Sequence, residues 1–307
     1  MLPTPKFHHL HLNSADPDAA LGFYARQFAS TARGLWGGFP ALKSPNDVMV
    51  LFTKVDRPPT REPQSAIWHF GWHVTHSRRS LEAYKTRPEV ELLPLYTSDE
   101  GAAVLISSDT WPGQGGVLGL TRDQIAEARE KGTRPAGGGG FAYMRGPDDA
   151  LVEYAGDHPA ERFNHVHLYQ EHPLCAQLWY EKHLNARPRS GWSGAAVTEA
   201  DCGVPRGPDR TWPALNREGM FRSPRAGVEF GDVALIWYAN QSDTPLVSSR
   251  GQLQDHVALS VGDLDAWVEK LRGEGVTFLE GPYRLGDTRA VMIEGPSREA
   301  LELVEVR

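Results

Sequence analysis

Residues 164–186 read NHVHLYQEHPLCAQLWYEKHLNA. The stretch predicts a short strand carrying His165 and His167, a polar turn, and a helix whose aromatic pair Trp179-Tyr180 faces the core. Residues 7–28, FHHLHLNSADPDAALGFYARQF, repeat the arrangement with His9, His11 and the pair Phe23-Tyr24. In both copies the tyrosine follows the first histidine by fifteen positions, and the second histidine follows it by two. A repeat that keeps histidines and aromatic residues in register points to a duplicated fold that binds a metal or a substrate.

Composition bounds the reading. A chain of 307 residues is long enough for two domains of roughly 150 residues, each with its own core. The net charge is −7 and no Lys/Arg cluster occurs, which argues against a nucleic-acid partner. The two cysteines, Cys175 and Cys202, form neither a disulfide framework nor a zinc-finger spacing, and suit a reducing compartment. There is no basic-then-apolar leader and no apolar run of the roughly 18 residues that span a bilayer. The expectation is a cytoplasmic protein with no membrane partner.

Taken in order, residues 7–12 predict a strand with His9 and His11 on one face. Asp16 caps a helix opening at Pro17, 34–45 reads as a loop, and 47–55 as a strand. Residues 67–74 (IWHFGWHV) set His69, Gly71 and His73 on one face of another strand, with a short helix at 80–86. Residues 87–140 read as an insertion. It holds GQGGVLG, which lacks the third glycine of a dinucleotide loop, a helix near 123–131 and a glycine hinge at 137–140. FAYMRGPDDALVEY then forms two edges of a hairpin ending in Glu153, and 156–162 is the linker. The second half repeats this order, with its own insertion at 187–227 and with Glu302 as the counterpart of Glu153.

The spacings agree. Seven positions separate His69 from His76 and His256 from Asp263, and seven separate Gly146 from Glu153 and Gly295 from Glu302. Within each half, strand–helix–strands occurs twice. The fold class expected is α+β, from four βαβββ modules paired into two half-barrel domains, 1–156 and 163–307.

These residues resemble the vicinal oxygen chelate superfamily of glyoxalases, fosfomycin-resistance enzymes, bleomycin-binding proteins and extradiol dioxygenases. The matching features are the histidines of FHHLHL and NHVHLY, the pairs FY and WY, the histidines of WHFGWHV and DHVALSV, and the carboxylates of GPDDALVEY and GPSREALEL. The resemblance implies a divalent metal, Fe(II), Mn(II) or Zn(II), held by His9, His69 and Glu153 in the first domain. In the second it implies His165, His256 and Glu302. Two imidazoles and one carboxylate leave positions open for water, substrate or dioxygen. The fourth ligand of glyoxalases is missing, with Phe52-Thr53 and Trp237-Tyr238 on that strand.

His167, like His11 and His73, shares a face with the ligands and is a candidate proton shuttle, alternative ligand or polar cavity lining. Tyr143 stands where ring-cleaving enzymes place an active-site tyrosine, although their upstream histidine is replaced by GTRPAGGGG. In the second half Met292 holds that position, and Tyr238 and Tyr283 are the nearest alternatives. The excursion 187–227, with Trp192 and Trp212, reads as a lid, a surface loop, or part of an interdomain or homodimer contact. The function expected is a metal-dependent enzyme acting on a small oxygenated, aromatic substrate, with a lean to extradiol-type dioxygenase. The alternatives are a glyoxalase-like lyase or isomerase, and a metal-free protein that binds an antibiotic-like molecule.

Overall fold

The computed structural model describes residues 2–57, 59–60, 63–92, 116–117, 120–121, 130–131, 141–156, 158–189, 198–200, 202, 225–240 and 245–306. Residues 113–115, 118 and 119 of GQGGVLG, most of the helix near 123–131, the glycine hinge at 137–140, and Trp192 and Trp212 lie outside the described residues. Four modules follow one another. The first is β1 (Lys6–Ser14), α1 (Pro17–Gln27), β2 (Ala32–Trp36), β3 (Phe39–Lys43) and β4 (Met49–Lys54). In the second, β5 (Ile67–His73) and α2 (Ser77–Lys85) precede β6 (Glu91–Leu92), a two-stranded piece of β7 (Gly116–Val117) and β8 (Leu120–Thr121), then β9 (Phe141–Arg145) and β10 (Leu151–Ala155). The third comprises β11 (Arg162–Gln170), α3 (Pro173–Leu184), β12 (Arg187–Pro188), β13 (Arg225–Phe230) and β14 (Val233–Ala239). The last is β15 (Gln254–Val261), α4 (Leu264–Gly273), β16 (Phe278–Leu285), β17 (Thr288–Glu294) and β18 (Ala300–Glu305).

Local chemistry accounts for the elements. Asp16 accepts a hydrogen bond from the Ala19 amide and Pro17 sits at the first helical position, so α1 starts where expected. Asp263 caps α4 in the same way through Ala266. The stretch 34–45, expected as a loop, instead belongs to the hairpin β2–β3. Gly37 and Gly38 both have positive φ and form the tight turn, while β2 is mostly exposed and so lacks the alternating pattern that marks a strand.

The modules pair differently from the order expected. One eight-stranded sheet runs β16-β17-β18-β15-β1-β4-β3-β2, and the other runs β12-β13-β14-β11-β5-β10-β9-β6. Module one is therefore joined to module four through antiparallel β1 and β15. Module two is joined to module three through antiparallel β5 and β11. The split at 156–162 separates the copies of the duplication, while each sheet takes half its strands from either side of it. The reason is that the first strand of every module is an inner strand, and its free edge pairs across the copies.

Alternation sets the two faces of each sheet. Leu10 and Leu12 of β1, Phe70 and Trp72 of β5 and Val166 and Leu168 of β11 are buried in one continuous apolar core. Aromatic stacking joins the sheets within it: Phe7 lies 5.4 Å from Phe163, and Phe28 lies 4.4 Å from Trp72. Tyr24 and Tyr180, expected as core residues, are fully buried. The histidines between these apolar positions face the other side of each sheet.

Cys175 at the start of α3 and Cys202 are joined in a disulfide, their Cα atoms 4.8 Å apart. This corrects the expectation of two separate cysteines and removes its support for a reducing compartment. Among the described residues, no helix is long and apolar enough to cross a membrane.

Candidate metal centres

The exchange of modules regroups the expected ligands. The outer centre, on the sheet of modules one and four, brings together His9 and His11 of β1, His256 of β15 and Glu302 of β18. His9 Nε2 lies 3.4 Å and His256 Nε2 3.9 Å from Glu302 Oε2. All three atoms are buried and none has a hydrogen-bond partner. Their far sides are occupied. Tyr283 donates its hydroxyl to Glu302 Oε1. His256 Nδ1 faces Asp255 Oδ1 at 2.6 Å, and His9 Nδ1 lies 2.8 Å from His8 Nδ1. Asp255 in turn accepts from Arg250 Nη1 at 2.5 Å and from the Gly251 amide at 2.6 Å. Such an arrangement orients imidazoles and leaves a converging set of donors toward one point.

The electrostatics agree with a ligand set. Burial, then the neighbouring His8, His256 and His11, press His9 well below its ordinary range, so it is a neutral imidazole. His11 is lowered by burial and by His256. Burial raises the Glu302 carboxyl, the response of an acid with too few compensating charges around it. Burial also works to raise Asp255, but its bonds to His256, Gly251 and Arg250 prevail and hold it well down.

The inner centre, on the sheet of modules two and three, is built from His69 of β5, Glu153 of β10 and His165 and His167 of β11. Glu153 Oε2 lies 3.1 Å from His69 Nε2, 3.5 Å from His165 Nε2 and 4.0 Å from His167 Nδ1. All four donors lie within 4.8 Å of one another and all are buried. Donors at ~2.0–2.2 Å from a tetrahedral ion stand roughly 3.4 Å apart, so both centres fit a small divalent cation. Asn164 Oδ1 lies 2.5 Å from His165 Nδ1. Gly71 leaves room for that ring: a Cβ there would lie 2.3 Å from His165 Cε1. Burial alone would raise Glu153, but His165, His69 and His167 outweigh it and hold the carboxyl well below its usual range.

The expected triads are thus corrected. His9 is not with His69 and Glu153, and His165 is not with His256 and Glu302; the two first-strand histidines have changed places. The tyrosines divide as well. Tyr143 pairs across strands with Glu153 and sets its hydroxyl 3.5 Å from His69 Nε2. The Tyr238 ring contacts His167, and Tyr283 belongs to the outer centre. His73 joins neither ligand set; it stacks on His158, and burial followed by that neighbour pushes it down to about 3.

Strand register locates the missing fourth ligand. Glu302 stands two places beyond the partner of His256 on the last strand, and Glu153 is placed likewise beyond the partner of His69. The same offset from His9 and His165 falls on Leu51 and Ile236. Both centres therefore carry an aliphatic residue there, one place before the residues read from sequence. Sequence reasoning missed Asp255, since residues adjacent on a strand point to opposite faces. A bulge between the pairs His11–His256 and Leu12–Gln254 sets it beside His256.

A cavity of about 550 Å³ opens on the outer centre, lined by His9, His11, His256 and Glu302 together with Asn13, Thr53, Asp255, Arg250 and apolar Phe39, Leu51, Leu285 and Met292. His11 Nε2 is held by Thr53 Oγ1 at 2.8 Å.

Residues 162–303 match the family described as the Glyoxalase/Bleomycin resistance protein/Dioxygenase superfamily. The whole chain is similar to a single-residue variant of glyoxalase I from Zea mays, with a TM-score of 0.60 and 15% identity over 98% of this chain and 92% of that one. Glyoxalase I from Zea mays itself gives 0.58 and 14%, with the same coverage. A protein from Bacillus subtilis named as a candidate dioxygenase gives 0.53 and 10%, over 99% of this chain and 86% of that one. At these identities the likeness speaks for the fold. No functionally curated protein matches the chain.

Proposed function

We propose that the chain, whose residues 162–303 match the superfamily of glyoxalases, bleomycin resistance proteins and dioxygenases, is a metal-dependent enzyme working at the outer centre on a small oxygenated, aromatic substrate. The observation that carries this reading is the set of three inward atoms without partners, His9 Nε2, His256 Nε2 and Glu302 Oε2, on the wall of an open cavity. A divalent metal bound there would supply Lewis-acid stabilisation of a substrate oxyanion and, as Fe(II), a place for dioxygen.

The residues of this chain do the rest. Thr53 holds His11 by its Nε2, which fixes the ring at the cavity wall beside His9 and His256, where it serves as an acid–base group for the substrate or as an alternative ligand. Phe39, Leu51, Leu285 and Met292 give the cavity an apolar side that packs a ring and excludes water. Arg250 offers positive charge at its lining. Among chemistries we favour an extradiol-type oxygenase, because two histidines and one carboxylate, with Leu51 at the fourth position, match the open three-donor set of non-haem iron enzymes.

The test is metal analysis of protein purified without chelator, joined to oxygen uptake with a panel of aromatic vicinal diols. Iron with diol-dependent uptake supports the oxygenase. Manganese or zinc with no uptake points to a lyase or isomerase. Failure to bind any of the three after reconstitution leaves a binding protein.

A further inference from the structure

A second cavity, of about 560 Å³, lies where two connecting segments run side by side. The segment between β4 and β5 brings Gln64 and Ser65, and the segment between β14 and β15 brings Gln252, with Gln254 opening β15. Backbone hydrogen bonds fasten the two together. The Val247 amide donates to the Gln64 carbonyl at 3.0 Å, and the Leu253 amide to the Thr60 carbonyl at 3.3 Å. Trp68 and Tyr169 add an aromatic wall, their rings stacked with centroids 5.0 Å apart. None of the described residues of this lining is shared with the cavity of the outer centre, and none is a ligand candidate of either centre.

The glutamines are the informative residues. Gln254 is 3% exposed, and its Nε2 is buried with no hydrogen-bond partner. Gln252 Oε1 is likewise buried and unpartnered. Buried amides in folded proteins are paired, so a donor and an acceptor left over in one wall call for a group that both accepts and donates. An anion would satisfy the donor alone and a cation the acceptor alone, whereas a hydroxyl group does both. Among the described lining residues the charges are Arg145 and Asp149, which are bonded to one another at 2.6 Å and so favour a neutral occupant. Polar side chains reach the space from both segments, which matches hydroxyls spread around a ring better than the single edge of a planar amide. The stacked aromatic pair gives the C–H face of such a ring a surface to pack on, and the volume is that of a small-molecule site.

We propose that this cavity is a binding site for a neutral polyhydroxylated ring, a monosaccharide or cyclitol, held by Gln252 and Gln254 and packed against Trp68. The Trp68 ring also lies 4.3 Å from that of His69, which sets the ligand one side chain away from the inner centre.

The probes are glucose, xylose and myo-inositol, titrated into the full-length protein and followed by saturation-transfer NMR and calorimetry, with uracil and nicotinamide as planar amide comparators. Wild type is expected to bind at least one of the three polyols and neither comparator. Gln254→Met keeps the length of the side chain and removes its unpaired amide, so the fold tolerates it. It is expected to weaken polyol binding by about tenfold with no fall in melting temperature, and Gln252→Met, a second variant, to do the same. Because vicinal hydroxyls also chelate metals, the titration is repeated with chelator present, where binding is expected to persist. Binding of none of the polyols, a preference for uracil or nicotinamide, unchanged affinity in either glutamine variant, or loss of binding on adding chelator overturns the proposal. All of these outcomes leave the enzymatic reading of the outer centre standing, since metal content and oxygen uptake test that separately.

Discussion

At the scale of single residues, the two imidazole sites are tuned by what stands behind them. Asp255 fixes the His256 ring through a 2.6 Å contact. Asp255→Asn is expected to weaken metal affinity at the outer centre by roughly 10–100-fold while leaving the inner ion in place, measured by competition with a chelator of known strength. Gly71 is the tightest fit. Gly71→Ala would push a methyl group into His165, costing about 1–3 kcal/mol of stability and releasing the inner ion, as seen by thermal melting and metal content. The register counterpart of Gly71 is Ala258, where His9 already tolerates the methyl group. The register of the duplication marked the paired histidines and glutamates, and the family resemblance marked them as ligand candidates. Asp255 was marked by neither, because the bulge that aims it leaves no mark in the pattern of residue types.

At the scale of elements, one buried carboxyl ties a turn to a helix. Glu299, between β17 and β18, is fully buried, accepts from Tyr180 of α3 at 2.7 Å and from the Ser297 amide at 2.7 Å, and burial raises it to about 7. Its folded-state value exceeds its unfolded one, so the folded form binds the proton more tightly. Stability is then greatest below the unfolded value and falls as pH rises through about 7, by roughly 3 kcal/mol for this group. Glu299→Gln is expected to flatten the denaturation midpoint between pH 5 and 8, checked by urea melts across that range. Strands and helices with a buried face were foreseen in outline. The β2–β3 hairpin was not, since an exposed edge strand carries polar residues on both faces and its turn glycines read equally well as a loop.

At the scale of the whole molecule, the sequence made the duplication visible but not its pairing. Four similar modules can be joined two by two in more than one way, and the choice depends on contacts between β1 and β15 that lie far apart along the chain. With both sheets and both centres shared between the copies, cutting the linker should not separate them. A protease site introduced between Ala155 and Arg162 and then cleaved is expected to give two fragments that elute together from gel filtration and retain both ions. Fragments that part, or that lose one ion selectively, would show that the shared sheets do not hold the molecule together.

The nesting of one pair of modules inside the other also bears on synthesis. Strands β5, β10, β11 and β14 can assemble while the ribosome is still working on residues 254–305. β1, made before any of these, must wait for residues 254–261 before its antiparallel neighbour exists, and long-range pairing of this kind is slow. His9 therefore emerges well ahead of the strand that completes its place.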